Sequence, residues 1–217
     1  MKVLITGASS GIGLDMARYL ASKKYELILV GRDKEKLEHV QETLPTKVTI
    51  IVADLANMQK VKELSMIDTN VKAVHILTKA FLKDMEKKNF GYILNVASSA
   101  AFQPGPLMAT YYATKSYVYQ LTEALYYEQK KKKSNVHISV LCPGPVATNF
   151  NNVAGVRFGV KPLSSQYVAK YAIDEMFKNK MLIIPGFKMK CAKFFSRFVS
   201  DKFLLRITYR IQKKKVN

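Results

Sequence analysis

Apolar and polar positions along the chain fall into alternating short and long blocks. Residues 3–5 form a brief apolar run that ends in Thr6-Gly7-Ala8-Ser9-Ser10-Gly11-Ile12-Gly13. Leu14, Ala17, Leu20 and Ala21 then recur at helical spacing. Residues 26–30 repeat the buried-strand pattern and close on Gly31-Arg32-Asp33; residues 34–44 read as an exposed helix. Val48–Val52 is a third, β-branched strand that ends at Ala53-Asp54-Leu55. Strand, helix, strand, helix, strand at this spacing predicts a parallel sheet with crossover helices. Further along, the pattern predicts a helix from about 58 to 88, a strand at 92–96 and a helix from 111 to about 129. A strand at 136–141, a helix over 164–179 capped by Ser164 or Ser165, and a last strand at 181–184 complete the series.

Composition narrows the class. With 217 residues, 48 % of them hydrophobic, the chain has material for one folded domain and is not a disordered one. Two cysteines, Cys142 and Cys191, make neither a disulfide framework nor a zinc ribbon, which fits a reducing, cytoplasmic setting. Met1-Lys2 runs straight into the first strand, so no signal peptide is read. The apolar runs at 27–30 and 181–184 fall far short of the ~18 residues a bilayer-spanning helix needs, which leaves surface attachment open.

The net charge of +19 points to anionic partners, and its placement is uneven. Residues 185–217 carry ten Lys and Arg against Asp201 alone. Among them Phe194, Phe195, Phe198, Phe203, Ile207 and Ile211 recur near helical spacing. The chain therefore divides into a domain at 1–185 and a basic amphipathic tail at 186–217. Such a tail either makes peripheral contact with an anionic membrane or lays its apolar face over the domain or a dimer partner. Nucleic-acid binding is disfavoured, because no recognition motif accompanies the charge.

The first strand–helix junction carries the clearest chemistry. Gly7, Gly11 and Gly13, with Ser9, Ser10 and Ile12 between them, let the backbone approach a pyrophosphate, and the helix N-terminus offers free N–H donors. Later, Tyr111 and Lys115 stand four residues apart on one helix face, where an ammonium beside a phenol is expected to lower the tyrosine pKa. Tyr112 is a competing candidate, three residues from Lys115.

The spacing T-G-x-x-x-G-x-G together with Y-x-x-x-K resembles the short-chain dehydrogenase/reductase family over about residues 1–185. The resemblance implies a Rossmann-type α/β fold, a doubly wound parallel sheet with helices on both faces. It also implies an NAD(P)-dependent oxidoreductase acting on a carbonyl or secondary alcohol. Gly31 stands where NAD-preferring members carry an acid, and Arg32 follows, so the resemblance points to NADP, the guanidinium taking the 2′-phosphate. Asp54 would contact the adenine amine, with Leu55 beside it. Ser98, 13 residues before Tyr111, matches the catalytic serine, with Ser99 as its rival. Asn70 in Asp68-Thr69-Asn70-Val71 matches the catalytic asparagine, holding a water that relays protons to Lys115. Val146 and Thr148, after Pro143-Gly144-Pro145, would clamp the nicotinamide amide. Members form homo-oligomers through the helices that bear Asn70 and Tyr111. Their substrate would lie against residues 149–162, which here are largely apolar, and a 3-oxoacyl or other lipid-like ketone is expected.

One part of the family pattern is missing. Members carry a central fourth strand ending in Asn-Asn-Ala-Gly between the residues matching Asp54 and Asn70. Here those two are 16 residues apart, about 35 fewer than a further strand and helix would take. Either the sequence omits a stretch near Leu64-Ser65, or the protein lacks it. In the second case one long helix would cross to residues 92–96, which would pair with the first strand. A chain altered in this way could also be a non-catalytic nucleotide-binding or membrane-surface scaffold.

Overall fold

The computed structural model describes residues 2–54, 62–148 and 161–216. Strands β1 (Lys2–Thr6), β2 (Glu26–Gly31) and β3 (Val48–Val52) form a parallel sheet in that order, with Val3 beside Leu27 and Leu29 beside Ile50. Helices α1 (Gly11–Ser22) and α2 (Lys34–Thr43) are its crossovers. A long helical run follows: α3 (Lys62–Ile67), a π-helical turn (Asp68–Ala73) and α4 (Val74–Lys88). It leads into β4 (Gly91–Val96), α5 (Ala109–Lys131) and β5 (Val136–Leu141). A small parallel pair, β6 (Val146–Ala147) with β7 (Leu163–Ser164), precedes α6 (Ser165–Phe177) and β8 (Leu182–Ile183). β4, β5 and β8 form a second parallel sheet. The tail folds as α7 (Phe187–Phe195), a 3-10 turn (Ser196–Phe198) and α8 (Asp201–Val216).

Local chemistry sets the helix ends. The Asp33 carboxylate accepts the Lys36 backbone N–H at 3.1 Å and so starts α2. Ser164 caps α6 by accepting from the Tyr167 N–H, while Ser165 donates to Asp15 on α1. α4 stops at Asn89, whose φ of 45° is left-handed, with Lys87 and Lys88 at the negative helix end.

The main core lies on the face shared by α1 and α6. Met16, Ala17, Leu20 and Ala21 of α1 pack with Val168, Ala169, Ala172 and Ile173 of α6. Ile5, Leu27 and Leu29 from the first sheet and Leu141 and Ile183 from the second join the same cluster. Tyr19 also donates to Asp174 across the two helices at 2.6 Å. On the opposite face α5 packs Val118 and Tyr119 against Val140 and Cys142, and Leu125 against Val136 and Ile138. The result is an α/β fold with helices on both faces of parallel sheets.

The long helical run into β4 is present from Lys62, the expected start near 58 lying outside the described residues, but β4 does not pair with β1. Among the described residues no ladder joins the two three-stranded sheets. The helix layer accounts for this. Two packed helices lie about 8–10 Å apart, close to two strand spacings of about 4.8 Å. α1 and α6 therefore join the half-sheets through a shared core and not through a strand ladder.

Glu175, at the end of α6, ties that helix to the turn before β8. Its carboxylate accepts from Lys180 at 2.5 Å and Lys178 at 3.0 Å, and these bonds, Lys180 first, hold its pKa below the usual carboxylate value. A depressed folded-state pKa stabilises the fold above the unfolded-chain value, near 4.3, and that contribution is lost as pH falls through the folded value. Glu175→Gln is expected to cost about 1 kcal/mol at pH 7. The difference from the parent should vanish in urea melts as pH drops from about 5 toward 3.

Candidate active site

The turn between β1 and α1 has the backbone of an anion cradle. Gly7 and Gly11 hold φ of +64° and +56°, a region that side chains beyond glycine disfavour. At Gly13 a Cβ would stand 2.4 Å from the Gly7 carbonyl oxygen, whereas a Cβ at Gly7 would meet nothing within 4 Å. The turn is thus tight on its inner side and open on its outer side. Ser10 makes no side-chain cap bond, so the first N–H groups of α1 stay available to an anion. Ser9 faces a groove of about 300 Å³ between α1 and α2, with Arg18, Lys36 and His39 on its walls beside Glu35.

The end of β2 departs from an NAD-type site in a specific way. Gly31 offers no carboxylate, and Asp33, the next acid, is committed to the start of α2 through Lys36. Arg32 is exposed, and among the described residues no acid pairs with it. Asp54 lies exposed just past β3; Leu55 falls outside the described residues. Val146 is buried on β6, and the Thr148 methyl lies 3.3 Å from where a Gly11 Cβ would be. The phosphate turn and the loop after β5 therefore meet at Gly11 and Thr148. These residues fit a dinucleotide laid across the ends of the strands.

The acid–base group stands on the second half-sheet. The Ala97 and Ser99 N–H groups bond the Leu141 and Pro143 carbonyls, each at 2.8 Å, extending β4 along β5. That extension leaves Ser98 extended at φ −167°, with its hydroxyl accepting the Ala100 N–H at 3.2 Å and hydrogen-bonded to Tyr111. Ser99 instead opens a 3-10 turn, so the structure brings Ser98, not its neighbour, to Tyr111. One helical turn on, Lys115 Nζ donates to the Val96 carbonyl at 3.1 Å and lies 6.0 Å from the Tyr111 ring centroid. Tyr112 points elsewhere: its ring packs on Gly105 and its hydroxyl accepts from Gln212 of α8.

Asn70 sits in the π-helical turn, a distortion common at functional sites. Its amide donates to Thr114 Oγ1 at 3.2 Å, one residue from Lys115 on α5. Beneath the group, Cys142 is buried and hydrogen-bonded by the Ser98 backbone N–H; burial pushes its thiol up to about 12, so it is an inert packing group. Neither the π turn nor the Cys142 support is visible in sequence spacing.

The electrostatics correct one expectation. Burial raises the Tyr111 pKa above its ordinary value, and Tyr112 adds to this; the Ser98 hydrogen bond alone opposes it. Lys115 does not lower it, because its ammonium is turned to the Val96 carbonyl. Burial brings Lys115 itself down to about 8. Tyr111 is accordingly a neutral phenol at pH 7, the form that can give a proton.

A family model described as short chain dehydrogenase matches residues 1–66 and 64–155. The chain belongs to the short-chain dehydrogenase family. The match is in two pieces that meet at residues 64–66, where the sequence pattern places the gap in the family pattern. An uncharacterized oxidoreductase of Staphylococcus epidermidis is 27 % identical over 202 residues, covering 76 % of this chain and 86 % of the relative. Hydroxysteroid dehydrogenase-like protein 1 of Gallus gallus is 29 % identical over 227 residues, covering 85 % and 67 %. Among solved structures, a short-chain dehydrogenase from Sphingobium yanoikuyae in complex with NADPH superposes with a TM-score of 0.77 at 24 % identity, covering 86 % of this chain and 88 % of its own. A 7beta-hydroxysteroid dehydrogenase gives 0.82 at 18 % identity, covering 95 % and 96 %. At these identities the superpositions speak for the fold. Family membership makes this short-chain dehydrogenase an NAD(P)-dependent oxidoreductase.

Gly13 and Gly7 are expected to resist substitution for different reasons. Gly13→Ala forces a backbone shift and should destabilise by about 1–3 kcal/mol. Gly7→Ala carries only the left-handed backbone cost of about 1–2 kcal/mol. Urea unfolding of both variants, with cofactor titration by fluorescence, checks this; equal, negligible losses would count against the tight-turn geometry.

Proposed function

We propose that this oxidoreductase interconverts a bulky, apolar ketone and its secondary alcohol with NADP as hydride carrier. The observation that carries the reading is the Ser98–Tyr111 hydroxyl pair with Lys115 on the next turn of α5. The nicotinamide, when bound, supplies hydride to the carbonyl carbon or accepts it from the alcohol. Ser98 hydrogen-bonds the substrate oxygen and orients it. Tyr111 gives its phenolic proton to that oxygen, so that one hydride and one proton turn the ketone into the alcohol. In oxidation the same hydroxyl takes the proton back. Lys115 binds the nicotinamide ribose hydroxyls and returns a proton to Tyr111, and Asn70, through Thr114, positions the α5 turn that carries Lys115.

Three features support NADP and the substrate class. Arg32 offers a guanidinium fork to a 2′-phosphate, while Asp33 is tied up at α2 and does not oppose it. Gly7, Ser9, Ser10, Gly11, Ile12 and Gly13 receive the pyrophosphate, with Asp54 and Leu55 at the adenine and Val146 and Thr148 at the nicotinamide end. Relatives named for hydroxysteroids favour a steroid-like or 3-oxoacyl ketone. Self-association through α4 and α5 belongs to the same reading, with Ile76, Phe81 and Tyr127 exposed on those helices.

Tyr111→Phe is expected to keep NADPH binding and lose about a hundredfold or more in turnover on a ketone panel. Binding without turnover by the parent chain on every ketone sinks the proposal. Arg32→Ala should raise the KM for NADPH at least about tenfold and leave NADH unchanged, since the lost charge-assisted contact is to the 2′-phosphate. With Lys115 held at about 8, its ammonium is present below that pH and lost above it. Ketone reduction should therefore decline as pH rises through about 8, and Lys115→Arg should flatten that limb at a lower rate.

A further inference from the structure

Helix α8 presents its faces the wrong way round for a helix in water. Toward the body it turns Thr208 and Gln212, which are 1 % and 2 % exposed. Gln103 donates to Thr208 at 3.3 Å, and the Gln212 amide donates to the Tyr112 hydroxyl. At 100° per residue Phe203, Ile207 and Ile211 fall on a different face, and all three are exposed. The apolar stripe thus does not cover the domain, as one reading of the sequence expected; polar groups do. The preceding segment repeats the arrangement. Phe194, Phe195 and Phe198 touch one another, at ring centroids 5.5 and 5.4 Å apart, and remain exposed, with Phe198 at 74 % and Phe187 at 80 %.

Exposed apolar side chains on two successive segments mark a surface that meets something other than water. Charge selects the occupant. Lys188, Lys190, Arg197, Lys202, Arg206, Arg210 and Lys213 are exposed among these apolar side chains, with Asp201 as the acid of the segment. A second copy would set like charges against each other across a two-fold interface. An anionic lipid surface neutralises the same cations and takes the aromatic rings into its headgroup–acyl boundary. No helix among the described residues is long and apolar enough to cross a membrane, so the contact is one of surface docking. We propose that α7 and α8 form a docking surface for an anionic membrane. On its inner side Lys193 stacks on Phe102 at 4.3 Å, and Gln103 and Tyr112 receive α8. The docking surface is thereby fixed to the segment 102–112, which leads into the helix that bears Tyr111 and Lys115.

The test is co-sedimentation of the full chain with phosphatidylcholine vesicles and with vesicles containing phosphatidylserine. Binding is expected to be at least tenfold tighter to the anionic vesicles and to weaken at high salt. The triple substitutions Phe198→Ser/Phe203→Ser/Ile207→Ser and Lys202→Glu/Arg206→Glu/Arg210→Glu should each reduce it at least tenfold, with thermal melts as the folding control. The sequence has no tryptophan, so Phe198→Trp gives a conservative single reporter whose emission should shift to the blue on anionic vesicles. Absent binding, equal binding to neutral vesicles, or an unshifted tryptophan overturns the proposal. So does anionic binding that survives loss of the apolar side chains, which would be simple polyanion attraction. A dimer that disappears in the apolar triple variant while vesicles go unbound would assign the face to a second copy instead. None of these readouts depends on turnover, so they stand or fall apart from the catalytic reading.

Discussion

The packing of α1 against α6 holds this molecule together. Neither half-sheet is a domain by itself: each has three parallel strands and one unpaired inner edge. Parallel sheets need cover on both faces, and a two- or three-stranded piece has little stability alone. The α1–α6 layer supplies the common cover, with Ala17, Ala21, Ala169 and Ala172 allowing close helix approach and Leu20, Ile173 and Met176 filling the space beneath. Tyr19 with Asp174, and Ser165 with Asp15, add polar ties at two points along the same seam. The seam fixes a distance that the backbone ladders leave open.

That distance is a functional quantity. The phosphate turn stands on the first half-sheet, at Gly7, Gly11 and Gly13; Ser98, Tyr111 and Lys115 stand on the second. In the proposed reaction a cofactor on the first half would have to meet a substrate on the second in a near-attack geometry, where a misplacement of about 1 Å is costly. In this chain the register between them rests on helix packing and on the contact of Thr148 with Gly11. Loosening the seam would disturb chemistry before it disturbed either binding event alone.

Much of the arrangement was legible in the sequence because it is local. The β1–turn–α1 junction follows from glycine spacing and the Tyr111–Lys115 face from helical period, while Ser98 came from the resemblance through its distance to Tyr111. The resemblance added Asn70, Arg32, Asp54, Leu55, Val146 and Thr148, of which Leu55 lies outside the described residues. What sequence could not supply is tertiary. The separation of β1 from β4 depends on two helices far apart in the chain. The π turn at Asn70 has no residue signature, since an extra residue per turn needs no special side chain. The direction of the Tyr111 shift depends on where the Lys115 ammonium turns, and Val96 offers it a carbonyl instead.

The tail shows the same limit from another side. An amphipathic pattern states that a helix has two faces; it does not state which one meets the domain. Here the domain surface at Gln103 and Tyr112 offers polar groups, an amide and a hydroxyl, and each buried polar group needs a partner. Thr208 and Gln212 can meet that need, and Phe203 and Ile207 cannot, so the polar stripe turns inward and the apolar one is left outside. The hydrogen-bonding requirement of Gln103 and Tyr112 thereby orients the helix. It also leaves Lys202, Arg206, Arg210 and Lys213 exposed around an apolar surface. Part of a charge that read first as a property of composition thus takes its place from how one helix satisfies Gln103 and Tyr112.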